Sequence, residues 1–212
     1  YGITGDLNLK HQKFMIENFD QIKGFLHRDE GIALYNHCKS VSQKGICVEI
    51  GSYCGKSACY LGLACQENDS ILYSVDHHQG SEEQQFGEEY FDEEIYDHTN
   101  KRVNTLPLFQ ENIKKFNLEK HVKPIVMKSI EASKIISDKL DLIFIDGSHT
   151  FKSANTDYDA WKNKLRKGGC LAIHDIYDSP EEGGQAPKEI YERAISDGFR
   201  LVERVNSLVL LY

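Results

Sequence analysis

Strand-like and helix-like segments alternate along most of this chain, and this alternation limits the fold more than any other feature. Five short apolar segments have the length and composition of buried strands: residues 45–50, 71–75, 122–127, 140–145 and 169–173. Helical patterns lie between and after them, at residues 57–65, 106–116, 153–165 and 187–196. Such alternation predicts an α/β domain in which helices cover a parallel sheet. The two-residue turn Asn206–Ser207 joins two more strand segments and predicts an antiparallel hairpin at the end of the sheet.

The length of 212 residues suits one domain with a small additional part. Residues from about 7 to 40 have a helical pattern, so we expect a helical cap at residues 1–42 in front of a core at residues 43–212. Within that core, the polar segment 77–104 interrupts the alternation of strands and helices.

Composition narrows the choice of partners. The net charge is −8 and basic residues form no stripe, which argues against a nucleic-acid partner. No apolar run reaches the roughly 20 residues needed to cross a bilayer, so no membrane partner is expected. The six cysteines form no CxxC pair and lie mostly in apolar surroundings, which predicts free buried thiols and a cytoplasmic location. A small-molecule substrate is expected, and a homo-oligomer stays open.

The end of the first strand carries a glycine turn that runs into a helix. Its sequence is Glu49-Ile-Gly51-Ser52-Tyr-Cys-Gly55-Lys-Ser57. Glycines let the backbone approach a ligand closely, and the start of a helix offers free N–H groups. A tight strand-to-helix turn that binds nothing also needs glycine, so the turn alone does not establish a binding site.

The second strand ends at Asp76, about 25 residues after the glycine turn. A carboxylate at that place in a parallel sheet accepts hydrogen bonds from both ribose hydroxyls of a nucleoside. An isolated aspartate there would more often be a helix cap or a solvated acid. The combination of the turn with Asp76 favours nucleoside binding.

Two kinds of nucleoside site compete at this point. The turn resembles a phosphate-binding loop, but that loop needs four residues between its glycines and three separate Gly51 from Gly55. Glu49 would repel a triphosphate and attract a cationic ligand such as S-adenosylmethionine (SAM). A SAM-binding enzyme is therefore favoured over a nucleoside triphosphatase, and a SAM-binding module without catalysis remains a further alternative.

The segment Val48–Gly55 resembles the first motif of class I SAM-dependent methyltransferases, and Val75–Asp76 resembles their second. The resemblance implies a Rossmann-like sheet of seven mostly parallel strands, with an antiparallel strand from the C-terminal hairpin and helices on both faces. It implies SAM as the cofactor. The cofactor-binding positions expected on this basis are Glu49, Gly51, Ser52, Gly55, Ser57, Asp76, His77, Ser129 and Asp146.

The fourth and fifth strands end in acids and histidines. One ends in Asp146-Gly-Ser-His149 and the other in His174-Asp175. If these strands are neighbours, as expected, Asp146, His174 and Asp175 converge on one divalent cation. Against this, Asp146 is needed near the cofactor in methyltransferases without a metal, and Gly-Ser-His also suits a helix cap.

Residues 144–149, 165–169 and 173–175 resemble methyltransferase family 24, which is similar to metal-dependent O-methyltransferases that act on catechols and sugar hydroxyls. The resemblance implies Asp146, His174 and Asp175 as metal ligands and His149 as the base, with Asp146 and His149 as the catalytic pair. The catechol type carries Asp-Asn where this chain has His174-Asp175, and an imidazole ligand shifts preference from Mg²⁺ towards Mn²⁺ or Zn²⁺. The expected reaction is O-methylation of a small-molecule hydroxyl.

The polar segment 77–104 is strongly acidic between Ser81 and His98, where lysine and arginine are absent. A charged run of this kind is usually a solvated loop. The four aromatic residues within it favour a lid over the substrate or an interface instead. These are Phe86, Tyr90, Phe91 and Tyr96.

Overall fold

A computed structural model describes residues 3–81, 84–88, 91–136, 139–147 and 150–212. Its centre is a seven-stranded sheet with the order β5-β2-β1-β6-β7-β9-β8. The strands are β1 (Ile46–Ile50), β2 (Ile71–Val75), β5 (Val122–Ile125), β6 (Leu140–Ile145), β7 (Leu165–Ile173), β8 (Leu201–Val205) and β9 (Leu208–Leu211). The first five pair in parallel, while β9 runs antiparallel to both β7 and β8. This confirms the predicted fold class.

Seven α-helices surround the sheet within the described residues. They are α1 (Ile3–Phe19), α2 (Arg28–Val41), α3 (Lys56–Glu67), α4 (Leu106–Lys115), α5 (Ser129–Ile135), α6 (Phe151–Trp161) and α7 (Ala186–Ser196). Two-residue strands β3 (Tyr96–Asp97) and β4 (Arg102–Val103) form a small separate hairpin. None of the helices in the described ranges is long and apolar enough to span a membrane.

Strand β6 shows why helices lie on both faces of the sheet. All six of its residues are buried, because alternate side chains enter two different apolar clusters. Leu142 and Phe144 pack in the cluster that contains residues of α1 to α4. Ile143 and Ile145 pack in the cluster that contains residues of α5, α6 and α7.

The N-terminal region forms two helices where the sequence suggested one helical segment over about 7–40. Helix α1 ends at Phe19 and α2 begins at Arg28. His27 caps α2, and its backbone N–H donates to Glu30, which completes a capping box. Side chains of both helices belong to the same apolar cluster as Leu61 of α3, so these helices share the core of the sheet.

Two features were absent from the sequence-based expectation. Helix α5 spans only Ser129–Ile135, and β3 and β4 are two residues each. Segments this short have too few residues to show a hydrophobic period.

The carboxyl ends of four strands lie at one level. Ile50 is in register with Val75 on one side and with Ile145 on the other, and Ile145 is in register with Ile173. The backbone N–H groups of Gly51, Asp146 and His174 each donate to the neighbouring strand at 2.9–3.1 Å, which extends the ladder by one residue. The residue after each strand therefore opens on the same edge of the sheet.

Candidate active site

The glycine turn brings the ends of β1 and β6 into direct contact. Gly51 has a φ of 89°, and a Cβ on it would lie 2.3 Å from the backbone oxygen of Asp146. Gly55 has a φ of 91° and occupies the N-cap position of α3. Both positions require glycine for their backbone conformation, and Gly51 also requires it for space.

Asp76 lies directly above the glycine turn. Its Oδ2 accepts hydrogen bonds from the backbone N–H groups of Ser52 and Tyr53, both at 2.9 Å. Its Oδ1 accepts from the backbone N–H of His78 at 2.7 Å. The carboxylate is thus held at the cleft edge. Oδ2 already accepts two hydrogen bonds, whereas Oδ1 accepts one and keeps a second lone pair for a ligand hydroxyl.

An open cleft of about 330 Å³ lies beside Asp76, beyond the ends of β2 and β5. His77 lines it together with Met127, Lys128 and Glu131. Ser129 begins α5 next to this cleft, but its hydroxyl accepts a hydrogen bond from the Trp161 indole at 2.8 Å. The sequence indicated His77 and Ser129, whereas it gave no signal for Met127, Lys128 or Glu131.

Glu49 is fully buried beneath the glycine turn. Its Oε2 accepts a hydrogen bond from the hydroxyl of Ser57 at 2.8 Å, while Oε1 has no hydrogen-bond partner among the described residues. Burial raises the pKa of Glu49 to about 7, against the smaller opposing effect of the hydroxyls of Ser74, Ser57 and Ser52. A cation placed at the turn would favour the charged form of this group.

Replacing Glu49 with glutamine is expected to change how stability depends on pH. Between pH about 4.5 and 7 the unfolded chain has released this proton and the folded chain has not, so the Glu49 contribution to stability falls as the pH rises. The full effect is about 3 kcal/mol. The free energy of unfolding of Glu49→Gln relative to the unmodified protein should therefore increase by about this amount between pH 4.5 and 8, as measured by urea denaturation.

The exposed carboxylate of Glu119 provides a control for this measurement. The difference between Glu119→Gln and the unmodified protein should be within about 0.5 kcal/mol at both pH values. If the free energy of unfolding of Glu49→Gln relative to the unmodified protein were equally independent of pH, the assignment of a raised pKa to Glu49 would be contradicted.

His174 lies between two carboxylates at the ends of β6 and β7. Its Nδ1 is 3.1 Å from Oδ1 of Asp146 and 3.3 Å from Oδ1 of Asp175. The candidate ligand atoms of these three residues all lie within 4.8 Å of one another. Asp175 adopts a φ of 61°, which is uncommon for a residue other than glycine. The structure thus brings together the three side chains that the sequence indicated as metal ligands.

The other side of the imidazole faces the N-terminal helices. Nε2 of His174 is 2.9 Å from Oε2 of Glu30, which belongs to α2, and 3.3 Å from Oγ of Ser207 in the β8–β9 turn. Burial lowers the pKa of His174, but the surrounding carboxylates together raise it by more. The charge and hydrogen bond of Asp146 act with the hydrogen bond to Glu30 and the charge of Asp175. Burial raises the pKa of Glu30, but its hydrogen bond to His174, the charge of the imidazole and its other hydrogen bonds together lower it by more. The sequence gave no signal for Glu30 beyond its place near a helix start.

Ser148 and His149 lie outside the described residues, so the predicted base is not placed by the structure. The chain resumes at Thr150, whose hydroxyl caps α6 by accepting a hydrogen bond from the N–H of Ser153 at 3.3 Å.

The acidic segment contains an aromatic cluster, formed by Phe86, Phe91 and Tyr96, whose ring centroids lie 5.2–5.7 Å apart. Lys23 forms salt bridges with Asp92 and Glu94 and so ties the segment to the α1–α2 connection. Tyr90 and three of the glutamates, Glu82, Glu83 and Glu89, lie outside the described residues. The role of this segment as a lid or an interface stays a prediction.

The fold, the glycine turn and the carboxylate at the end of β2 define the class of protein, the class I SAM-dependent methyltransferases. A sequence model described as "Methyltransferase domain", family 24, matches residues 48–176, which is more than half of the chain. The chain belongs to this methyltransferase family.

Solved structures with the same fold cover nearly all of the chain at low sequence identity. A Staphylococcus aureus protein assigned as a caffeoyl-CoA O-methyltransferase is 12% identical with a TM-score of 0.64, over 98% of this chain and 97% of that one. The Podospora anserina methyltransferase PaMTH1, bound to S-adenosylhomocysteine (SAH), is 15% identical with a TM-score of 0.62, over 100% and 96%.

The O-methyltransferase TomG from Streptomyces achromogenes, in complex with SAM, has a TM-score of 0.61 at 12% identity. It is aligned over 88% of this chain and 80% of its own. At these identities the likeness concerns the fold.

Proposed function

We propose that this protein transfers the methyl group of SAM to a hydroxyl oxygen of a small molecule, with the help of a divalent cation. One observation carries the proposal. The nucleoside-type carboxylate of Asp76 and the cluster of Asp146, His174 and Asp175 open on the same edge of the sheet, on either side of the contact between Gly51 and Asp146. A methyl donor and an acceptor held at these two places would be neighbours.

The proposed cofactor site uses three parts of the edge. Asp76 accepts a ribose hydroxyl on Oδ1, and the cleft lined by His77 and Met127 takes the adenine. The turn from Gly51 to Gly55 and the start of α3 take the amino-acid part of SAM. Its positive charge is compatible with the unpaired carboxylate oxygen of Glu49 beneath the turn.

The possible metal ligands that follow β6 and β7, on the other part of the edge, fit a divalent cation. Asp146 and Asp175 supply carboxylate oxygens, and His174 supplies Nδ1, all within 4.8 Å of one another. A cation held by these residues would lower the pKa of a substrate hydroxyl. The mixed oxygen and nitrogen set favours Mn²⁺ or Zn²⁺ over Mg²⁺ relative to a set of oxygens alone.

The reaction forms a bond between the hydroxyl oxygen and the methyl carbon and breaks the bond between that carbon and sulfur. The electron pair of the broken bond stays on sulfur, which gives SAH, and the hydroxyl proton leaves to a base. His149, in the segment between Gly147 and α6, is the proposed base because an imidazole titrates near neutral pH. Alignment of donor and acceptor along the edge would supply much of the rate.

Calorimetric titration with SAM, SAH and ATP tests the cofactor assignment. We expect SAM and SAH to bind and ATP to bind no more tightly than adenosine, because the turn lacks the spacing of a phosphate loop and lies over Glu49. Binding of ATP without binding of SAM would instead support a nucleoside triphosphatase. A panel of phenols, sugars and other hydroxyl compounds, each with Mg²⁺, Mn²⁺ or Zn²⁺, then identifies the acceptor. SAM binding without any methyl transfer across that panel would support a binding module.

A further inference from the structure

A buried carboxylate from the N-terminal helices lies against His174. Glu30 is only 2% exposed. Its Oε2 accepts the backbone N–H of His27 at 2.9 Å and lies 2.9 Å from Nε2 of His174. Its Oε1 accepts both the backbone N–H and the hydroxyl of Ser207, each at 2.9 Å. Glu30 therefore joins the start of α2, the end of β7 and the β8–β9 turn.

A capping box alone does not account for this arrangement. A capping glutamate completes its role at the helix surface, where water solvates the rest of the carboxylate. Burying a carboxylate is costly unless charge and hydrogen bonds compensate it. Here four donors surround the two oxygens, and the one that carries charge is the imidazole of His174.

The contact also determines which nitrogen of His174 is open to a ligand. A nitrogen that faces a carboxylate at 2.9 Å carries the proton, whether the ring is neutral or cationic. Nε2 therefore keeps its proton against Glu30. Nδ1, which lies 3.1 Å from Asp146 and 3.3 Å from Asp175, is the nitrogen that a cation between these two carboxylates would bind in place of a proton. Carboxylates commonly orient metal-binding histidines in this way.

We propose that Glu30 is a positioning residue of the cation site, which holds Nε2–H of His174 and thereby presents Nδ1 to Asp146 and Asp175. The proposal rests on the cation site of the proposed function and adds to it a residue from the first 42 positions. Glu30 acts through His174, so its replacement should leave the proposed cofactor site, at Asp76 and the glycine turn, unaffected.

The first experiment measures Mn²⁺ binding to Glu30→Ala and Glu30→Gln by electron paramagnetic resonance, and SAM binding by calorimetry. We expect Glu30→Ala to weaken Mn²⁺ binding by about 10–100-fold. Glu30→Gln should recover part of this loss, because its amide oxygen still accepts from Nε2–H but carries no charge. The SAM affinity of both variants should stay within about two-fold of the unmodified protein, as expected for a distant independent site.

The second experiment needs no metal. Nitrogen-15 spectra of histidine-labelled protein should show a slowly exchanging, hydrogen-bonded Nε2–H proton for His174, which is buried. That resonance should persist in Glu30→Gln at a changed frequency and disappear in Glu30→Ala. If Glu30 only stabilised the fold elsewhere, replacing it would leave the frequency of the His174 Nε2–H resonance unchanged.

Glu67→Gln is the matched control, because Glu67 also bridges helices but bonds Tyr35 and Lys39 and makes no contact with His174. It should leave both readouts unchanged. If Asp175→Ala loses Mn²⁺ while Glu30→Ala retains it fully, the role of Glu30 is wrong and the cation site stands. If the unmodified protein binds SAM but no Mn²⁺, the cation site and this proposal both fail. If Glu30→Ala does not fold, Glu30→Gln alone tests the proposal. An unchanged Mn²⁺ affinity together with an unchanged Nε2–H resonance in Glu30→Gln would overturn it.

Discussion

Replacing Asp76 with alanine is expected to weaken SAM binding by about 10–100-fold. A hydrogen bond from a ribose hydroxyl to the open lone pair of Oδ1 is worth roughly 1.5–3 kcal/mol, and about 1.4 kcal/mol corresponds to a factor of ten in affinity. The variant also removes the acceptor that holds the backbone N–H groups of Ser52 and Tyr53. Calorimetry with SAM measures the loss directly, and thermal unfolding checks that the variant is folded.

A modified ligand separates the two effects of the Asp76 substitution. SAH that lacks the ribose 2′-hydroxyl should bind the unmodified protein more weakly than intact SAH does. Asp76→Ala should bind both ligands equally, because the partner of that hydroxyl is gone. Asp159→Ala, an exposed acid on α6 that pairs with Arg193, should retain the discrimination. Equal discrimination in Asp76→Ala and in the unmodified protein would reject the ribose assignment.

Replacing Asp175 with alanine is expected to abolish metal-stimulated methyl transfer and to weaken Mn²⁺ binding by about 100-fold or more. Loss of a group that merely supports a ligand costs about 10–100-fold in metal affinity, and loss of a ligand should exceed that. SAM binding should stay nearly intact, because Asp175 follows β7, two strands away from the glycine turn after β1. Mn²⁺ binding is the better readout, since it needs no methyl acceptor.

Two further variants control for the unusual backbone of Asp175. Asparagine tolerates the φ of 61° better than alanine, so Asp175→Asn separates backbone strain from loss of charge and should have an intermediate affinity. Asp178→Ala removes an exposed acid that pairs with Arg204, only three positions further on, and should bind Mn²⁺ normally. Equal Mn²⁺ affinity for Asp175→Ala and Asp178→Ala would show that Asp175 is not a ligand.

The parts of the site that the sequence indicated are those with a local signal. Gly51 and Asp76 each follow directly from a short apolar strand, and the position of a residue after a strand in a parallel sheet is enough to place it on the ligand edge. Asp146, His174 and Asp175 follow the same rule, and the register of Ile145 with Ile173 brings them together. Their convergence needed only that β6 and β7 be neighbours.

The parts that the sequence did not indicate depend on tertiary contacts. Glu30 is 144 positions from His174 in the chain, and its own neighbourhood shows only a helix start. The hydroxyl of Ser129 is engaged by Trp161, a partner that lies on α6. The cleft residues Met127 and Lys128 follow a strand of only four residues, whose side chains carry no pattern that points to a ligand.

The close contact of Gly51 with the backbone of Asp146 has a consequence for how such an enzyme can change its acceptor. With no side chain between the two strand ends, their separation is that of adjacent strands, about 4.8 Å, and does not depend on side-chain packing. Substitutions in the acidic segment 77–104 or in the loop between β7 and α7 would then alter which molecule fits without changing how far it lies from the methyl donor. Libraries of variants for new acceptors are therefore best confined to those two segments. We expect the distance between the methyl donor and the acceptor to stay the same in the variants.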